Sequence, residues 1–307
     1  MGDRELLNVI WRRRTLEHVP EAYFIEHVLL GDIGCSIRII AVERISETPF
    51  VEGSLVVSMT SEFFPYLAEA RRRGFCKMML FHLGDEHGTS DRSAYENAAL
   101  VLRNYWFEAI QTDQQVIWVP TGYAVGVGPA NGASLVKSSQ RSLEGFFAGA
   151  LGMRTLAHER QRMKAAVEQG ELKFDLHFTA TSRDRLGSAA YSARLSNARF
   201  ALVPGGNSPE TIRLYDALER GAIPIMLRSP FVHAADALNE PPFILLNDWS
   251  ELAEAYAPFA DNSERALRAL DTLQEKVFDW WKHFTMHQQQ KVRTAVNAVL
   301  ANEGQCN

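Results

Sequence analysis

The 307-residue chain is poor in cysteine, has no long apolar run, and carries no excess of basic charge. Its three cysteines, Cys35, Cys76 and Cys306, are too few and too scattered for a disulfide framework or a zinc cluster. They read as reduced structural thiols of a cytosolic protein. No apolar stretch approaches the roughly 20 residues that cross a bilayer. The opening Met1-Gly2-Asp3-Arg4-Glu5-Leu6 lacks the apolar core of a signal peptide and the Ser or Thr at position 6 that supports myristoylation. A cytoplasmic chain with no membrane span is the expectation. Against 37 acidic side chains stand 32 Lys and Arg, a formal charge of −5. The basic runs Arg12-Arg13-Arg14 and Arg71-Arg72-Arg73 are short and lie within helix-like sequence, so no nucleic-acid partner is expected.

What is present is the balance of a folded protein: 46% hydrophobic and 22% charged residues, enough apolar surface to offset the ordering entropy. At about 150 residues per domain the length implies two domains. Short apolar runs alternate with helix-like segments. Ser36–Val42, Gly53–Ser58, Lys77–Leu83, Val116–Pro120, Gly145–Gly149 and Phe174–Phe178 read as strands. Phe63–Arg73, Ser93–Ile110, Arg154–Gln169 and the tail from Ser263 to Asn302 read as helices. This alternation predicts mainly parallel sheets with helices on both faces. Thr121–Gln140, rich in glycine and serine and without periodicity, reads as a surface loop or linker between the halves.

One segment joins strand to helix through a glycine turn. Phe200-Ala201-Leu202-Val203-Pro204 leads into Gly205-Gly206-Asn207-Ser208-Pro209-Glu210-Thr211, and Ile212–Arg220 continues as a helix. Ser208 is a good N-cap with Pro209 at the first helical position, and Gly221 suits a left-handed terminus before Ile223-Pro224-Ile225. Unsatisfied N–H groups and the helix dipole favour an anion at such a turn, and glycines let it approach closely. Arg213 and Asp216, three residues apart, share a helix face. The same residues also allow a plain tight turn, with Asp216 and Arg220 as a surface pair.

The run Phe200–Ile225 resembles the exostosin-type glycosyltransferases of glycosyltransferase family 47. Gly145–Gly149 followed by Arg154 and Arg160, and Pro242-Phe243-Ile244 with Asn247-Asp248-Trp249, fit the same family in order. The resemblance spans roughly 141 to 290. It implies a GT-B architecture of two Rossmann-like domains facing a cleft: an acceptor-side domain over 1–135 and a nucleotide-sugar-binding domain over 141–285. A C-terminal helix over 286–307 is expected to pack back on the first. It also implies an inverting transfer from a nucleotide-sugar co-substrate, UDP-linked, to a glycan- or polyol-type hydroxyl, with no cofactor or metal required. Carried over by residue, Gly205, Gly206, Asn207 and Ser208 form the diphosphate turn, Arg213 contacts phosphate and Asp216 holds the ribose. Glu210, Thr211 and Arg154 complete the expected donor set. The family more often has Glu where Asp216 stands.

In the first half the densest polar segment is Phe81–Asp91, which follows a strand at the end where open α/β sheets place ligands. Asp85, Glu86 and His87 are the candidate general bases, in that order, with His82, Asp91 and Tyr123 as candidate acceptor contacts. Together with Asn104-Tyr105-Trp106 and Trp118–Tyr123, this half is loosely similar to an exostosin-related subgroup that includes ribitol xylosyltransferases. The cluster leaves other readings open. It could be a capped turn, or His82, Asp85, His87 and Asp91 could ligate a divalent metal in a hydrolase. The chain could also be a non-catalytic nucleotide- or carbohydrate-binding module.

Overall fold

The computed structural model of the protein describes residues 6–110, 115–130, 135–152, 156–180 and 184–302. The chain forms two compact units, Met1–Pro120 with Thr285–Asn307, and Thr121–Phe284.

The first unit contains strands β1 (Leu6–Arg12), β2 (Ser36–Val42), β3 (Ser54–Met59), β4 (Met79–Leu83), β5 (Leu100–Arg103) and β6 (Val116–Trp118). All pair in parallel, in the order β2-β1-β3-β4-β5-β6. Parallel strands covered on both faces need continuous apolar runs, and all five residues of β4 are buried. Edge strand β2 exposes Arg38 and Ile39, and the Arg38 guanidinium donates to Asn8 Oδ1 at 2.8 Å. Such a charge on an edge discourages further pairing. The helix Phe64–Arg72 buries Tyr66, Leu67 and Ala70 against Ile10, Val56, Leu80 and Val101.

Two sequence expectations fail here. Strand β1 occupies the helix-like start, so Arg12 ends a strand and Arg13 opens the short helix Arg13–His18. Residues 93–110 are not one helix: a turn at Ser93–Asn97 precedes β5, and another at Glu108–Ile110 follows it. With four residues, all buried, β5 is too short to display a strand's alternation.

The second unit contains β7 (Leu143–Ala150), β8 (Phe174–Thr179), β9 (Ala198–Leu202), β10 (Ile223–Leu227) and β11 (Ile244–Leu246), all parallel, in the order β11-β10-β9-β7-β8. Each sheet therefore has its first strand between its second and third. The chain steps to one side, then crosses back, and its path reverses between β1 and β3 in one unit and between β7 and β9 in the other. Crevices for ligands open at the carboxyl ends of the strands at such reversals.

Gly145 lets the Phe174 ring pack on β7, since a Cβ there would lie 2.7 Å from it. Buried Arg141 donates to Leu195 O, Ala198 O and Arg220 O, satisfying carbonyls at the ends of the helices Ser188–Asn197 and Ile212–Glu219. The final helix, Glu264–Ala301, gives its first turns to this unit, where Trp281 Nε1 donates to Glu219 Oε2 at 2.9 Å. From Thr285 onward it belongs to the first unit, with Lys291 Nζ on Trp118 O and Asn297 Nδ2 on Ile33 O. No helix of the described residues is long and apolar enough to cross a membrane. Cys76 is disulfide-bonded, against the expectation of three reduced thiols.

Gly221 ends the helix Ile212–Glu219 at φ +67°, as its position in the sequence predicts. A Cβ there would lie 2.6 Å from Leu135 Cδ1 and 3.0 Å from Arg141 Nη2. Gly221→Ala is expected to cost about 1–3 kcal/mol of unfolding free energy in urea denaturation. An unchanged midpoint would contradict the strain.

Candidate active site

Two arginines meet the carboxyl end of β7. Arg160, on the helix Ala157–Gln169, is fully buried and donates Nε to Gly205 O at 2.9 Å and Nη1 to Ala150 O at 2.6 Å. Arg213, in the first turn of the helix Ile212–Glu219, donates Nε to Ala148 O at 2.7 Å. Both guanidinium groups lie over the Phe147 ring, at 5.9 and 5.6 Å from its centroid. A Cβ at Gly149 would meet Arg213 Nη2 at 2.6 Å, so a side chain there would have to push the guanidinium aside.

The glycine turn is held from one side by consecutive residues. Glu159 Oε1 accepts the Gly205 N–H at 2.9 Å while Arg160 holds the same residue's carbonyl, and Trp249 Nε1 donates to that Glu159 oxygen at 3.4 Å. A Cβ at Gly205 would strike Leu156 and Glu159. The Gly206 N–H donates to Ser208 O, and its carbonyl accepts from Leu156 N. The glycine N–H groups expected to face an anion are thus already bonded, that of Gly205 to Glu159 and that of Gly206 to Ser208.

Ser208 is a correction of the same kind. Its hydroxyl accepts the Glu210 N–H at 3.0 Å, forming a local turn instead of the expected helix cap. The helix begins at Ile212, with Thr211 as its N-cap. The unsatisfied first-turn N–H groups therefore belong to Ile212 and Arg213. Beside them the Thr211 hydroxyl is buried without a hydrogen-bond partner among the described residues.

Glu210 and Asp216 face inward. Glu210 Oε1 accepts from Thr121 N, Thr121 Oγ1 and Tyr215 Oη at 2.8–2.9 Å. Asp216 Oδ1 accepts Ala124 N at 2.8 Å, and Tyr191 bonds the same carboxylate. Glu219 Oε1 accepts Ala130 N at 2.7 Å. Residues 121–130, part of the segment expected to be a surface loop or linker, are strapped along the helix by three carboxylates. A ribose reaching Asp216 would have to displace the Ala124 N–H. Tyr123, expected to meet a ligand, is buried, with its ring against Gly128. Asn207 is half-buried beside the turn, and Arg154 lies outside the described residues.

In the first unit, the expected base Asp85 is buried and ion-paired with buried Arg103, Oδ2 to Nη2 at 3.0 Å, while its Oδ1 accepts Thr89 N and Ser90 N. Burial raises its carboxyl, but Arg103 and the two N–H groups outweigh burial and hold it below the usual carboxylate range. A carboxylate so engaged is a poor proton acceptor. His82, an expected acceptor contact, is fully buried, with Nδ1 2.6 Å from Tyr95 Oη. Burial, helped by Arg103, lowers it to about 4. Asp91 caps the following turn through Ser93 N and Oγ. Glu86, half-buried and accepting from Tyr105 Oη at 3.4 Å, and exposed His87 remain at the surface. No three His, Cys, Asp or Glu side chains converge as a metal site among the described residues, so the ligand set of the hydrolase reading does not assemble.

Residues 116–257 match the Exostosin GT47 domain. That stretch, less than half of the chain, is similar to the exostosin glycosyltransferase family. No curated protein matches the chain. Its fold is similar to three solved structures. One is a DNA-modifying β-glucosyltransferase (TM-score 0.56, 12% identity, covering 95% of this chain and 100% of that one). Another is a trehalose-6-phosphate synthase (0.55, 11%, 95% and 99%). The third is the sucrose-phosphate synthase of Thermosynechococcus elongatus (0.51, 12%, 96% and 100%). The architecture is GT-B. Within the matched residues, the sequence reading of the site missed the Glu159–Arg160 hold on Gly205. The signal was available in a basic helix directly after β7, but two adjacent charged residues do not reveal which peptide they grip.

Two outcomes test these assignments. Burial pushes Asp216 up to about 7, despite opposing bonds from Ala124 and Tyr191. The folded state therefore keeps a proton that the unfolded chain releases near 4. Stability from this group is full below pH 4 and is lost as pH rises to about 7. Asp216→Asn should flatten that decline in chemical denaturation between pH 4 and 8, and an unaltered slope would show that another group causes it. Arg103→Ala, which strands the Asp85 charge, should cost about 3–5 kcal/mol in the same assay. A loss under 1 kcal/mol would mean that Asp85 is not held as described.

Proposed function

We propose that the exostosin-like part of the chain binds a UDP-linked sugar with its diphosphate at the start of the helix Ile212–Glu219. The sugar then passes, with inversion, to a hydroxyl of a glycan- or polyol-type acceptor. The observation that carries this reading is the buried Thr211 hydroxyl, without a hydrogen-bond partner among the described residues, at the cap of the helix whose first turn holds Arg213. A helix start with a fixed cation and an orphan hydroxyl favours a phosphate oxygen. Uridine is supported by the similar fold of the β-glucosyltransferase, whose substrate is uridine diphosphoglucose.

In the transfer, the acceptor oxygen bonds to the anomeric carbon as the bond from that carbon to the diphosphate oxygen breaks. The hydroxyl proton passes to a base on the acceptor side, and UDP leaves. Negative charge grows on the departing diphosphate, where Arg213 and the helix N–H groups need no reorganisation to meet it. The base is best sought at Glu86 or His87, since Asp85 is committed to Arg103. Isothermal calorimetry with UDP tests the donor site. Arg213→Ala and Thr211→Val should each weaken binding at least tenfold, and wild-type affinity in both would refute it.

A further inference from the structure

The repeated strand order points to a second site. If the reversal between β7 and β9 holds the donor, the equivalent place in the first unit is the carboxyl ends of β1 and β3. There the structure has a cavity of about 300 Å³, within the first unit alone. Arg12, the last residue of β1, and Met59, the last of β3, both line it, together with Arg14, Thr15, His18 and Glu62. None of these belongs to the Phe81–Asp91 segment that the sequence singled out.

The charges are arranged unevenly. Arg12 Nη1 and Glu62 Oε1 pair at 2.7 Å and cancel, with the Thr15 hydroxyl 3.4 Å from the other Glu62 oxygen. Arg14 is exposed and has no ion-pair partner among the described residues, which leaves the lining with a net positive charge. His18 adds a ring fixed by its Nδ1 on Arg14 O at 2.8 Å. The volume suits a molecule of about monosaccharide size. Glu62 and Thr15 offer partners for hydroxyls, and Met59 an apolar contact. The remaining cation calls for an anionic group.

We propose that this cavity is the acceptor site and that the acceptor is a hydroxylated molecule bearing one anionic group, a phosphate or a carboxylate. The inference rests on the glycosyltransferase reading above, and it gives the basic run at Arg12–Arg14 a role.

The test uses the full chain saturated with UDP, so that the donor site is filled, and titrates glucose 6-phosphate, glucuronate and glucose by calorimetry. At least one anionic probe should bind tenfold more tightly than glucose, and which one does separates phosphate from carboxylate. Arg14→Ala, at an exposed position, should abolish that preference while leaving UDP affinity unchanged. Equal binding of all three probes, or a preference that survives Arg14→Ala, would overturn the proposal. If UDP itself fails to bind, the donor reading falls. The probe titrations then still decide whether the cavity is an anion site.

Discussion

Parallel strands all deliver the chain at one edge of the sheet, and only where the path reverses do two loops diverge and leave room for a ligand. Both units obey this constraint with the same strand order, and what each places near its reversal follows from it. In the second unit the diverging segments are the end of β7 and the glycine turn after β9. The last carbonyls of a parallel strand need donors. Here Arg213 and Arg160 supply them at Ala148 and Ala150, one from each flanking helix. The close approaches at Gly149 and Gly205 are consequences: backbone passes near these side chains.

The two aspartates singled out by chemistry show how surroundings decide a carboxylate's role. Asp85 and Asp216 are both buried. Asp85 meets a guanidinium and two N–H groups and stays ionised. Asp216 meets one N–H, a tyrosine hydroxyl and more distant arginines, and burial prevails. Each fixes a loop, one following β4 and the other preceding β7.

Much of the fold was legible because buried parallel strands are written as apolar runs. Ser36–Val42 coincides with β2, and the Gly221 terminus and the long final helix are where the pattern puts them. What failed was short or charged at its end: β5 with four residues, and β1, whose last residue belongs to a triple-arginine run. At the donor turn the strand, glycines, helix and Arg213 could be read in order. The direction of each hydrogen bond could not, so Ser208 and the glycines passed for anion donors when the helix began further on. In the first unit residue type misled at His82 and Asp85, which are both buried. The basic lining after β1 depends on Arg12 and Glu62, 50 residues apart in the chain.

The buried Trp249 indole shares one Glu159 oxygen with the Gly205 N–H. Its surroundings therefore change whenever the glycine turn shifts. The second unit thus contains an intrinsic fluorophore wired by a single carboxylate to the segment that precedes the helix Ile212–Glu219, so a shift of that turn is open to optical observation in the unlabelled protein.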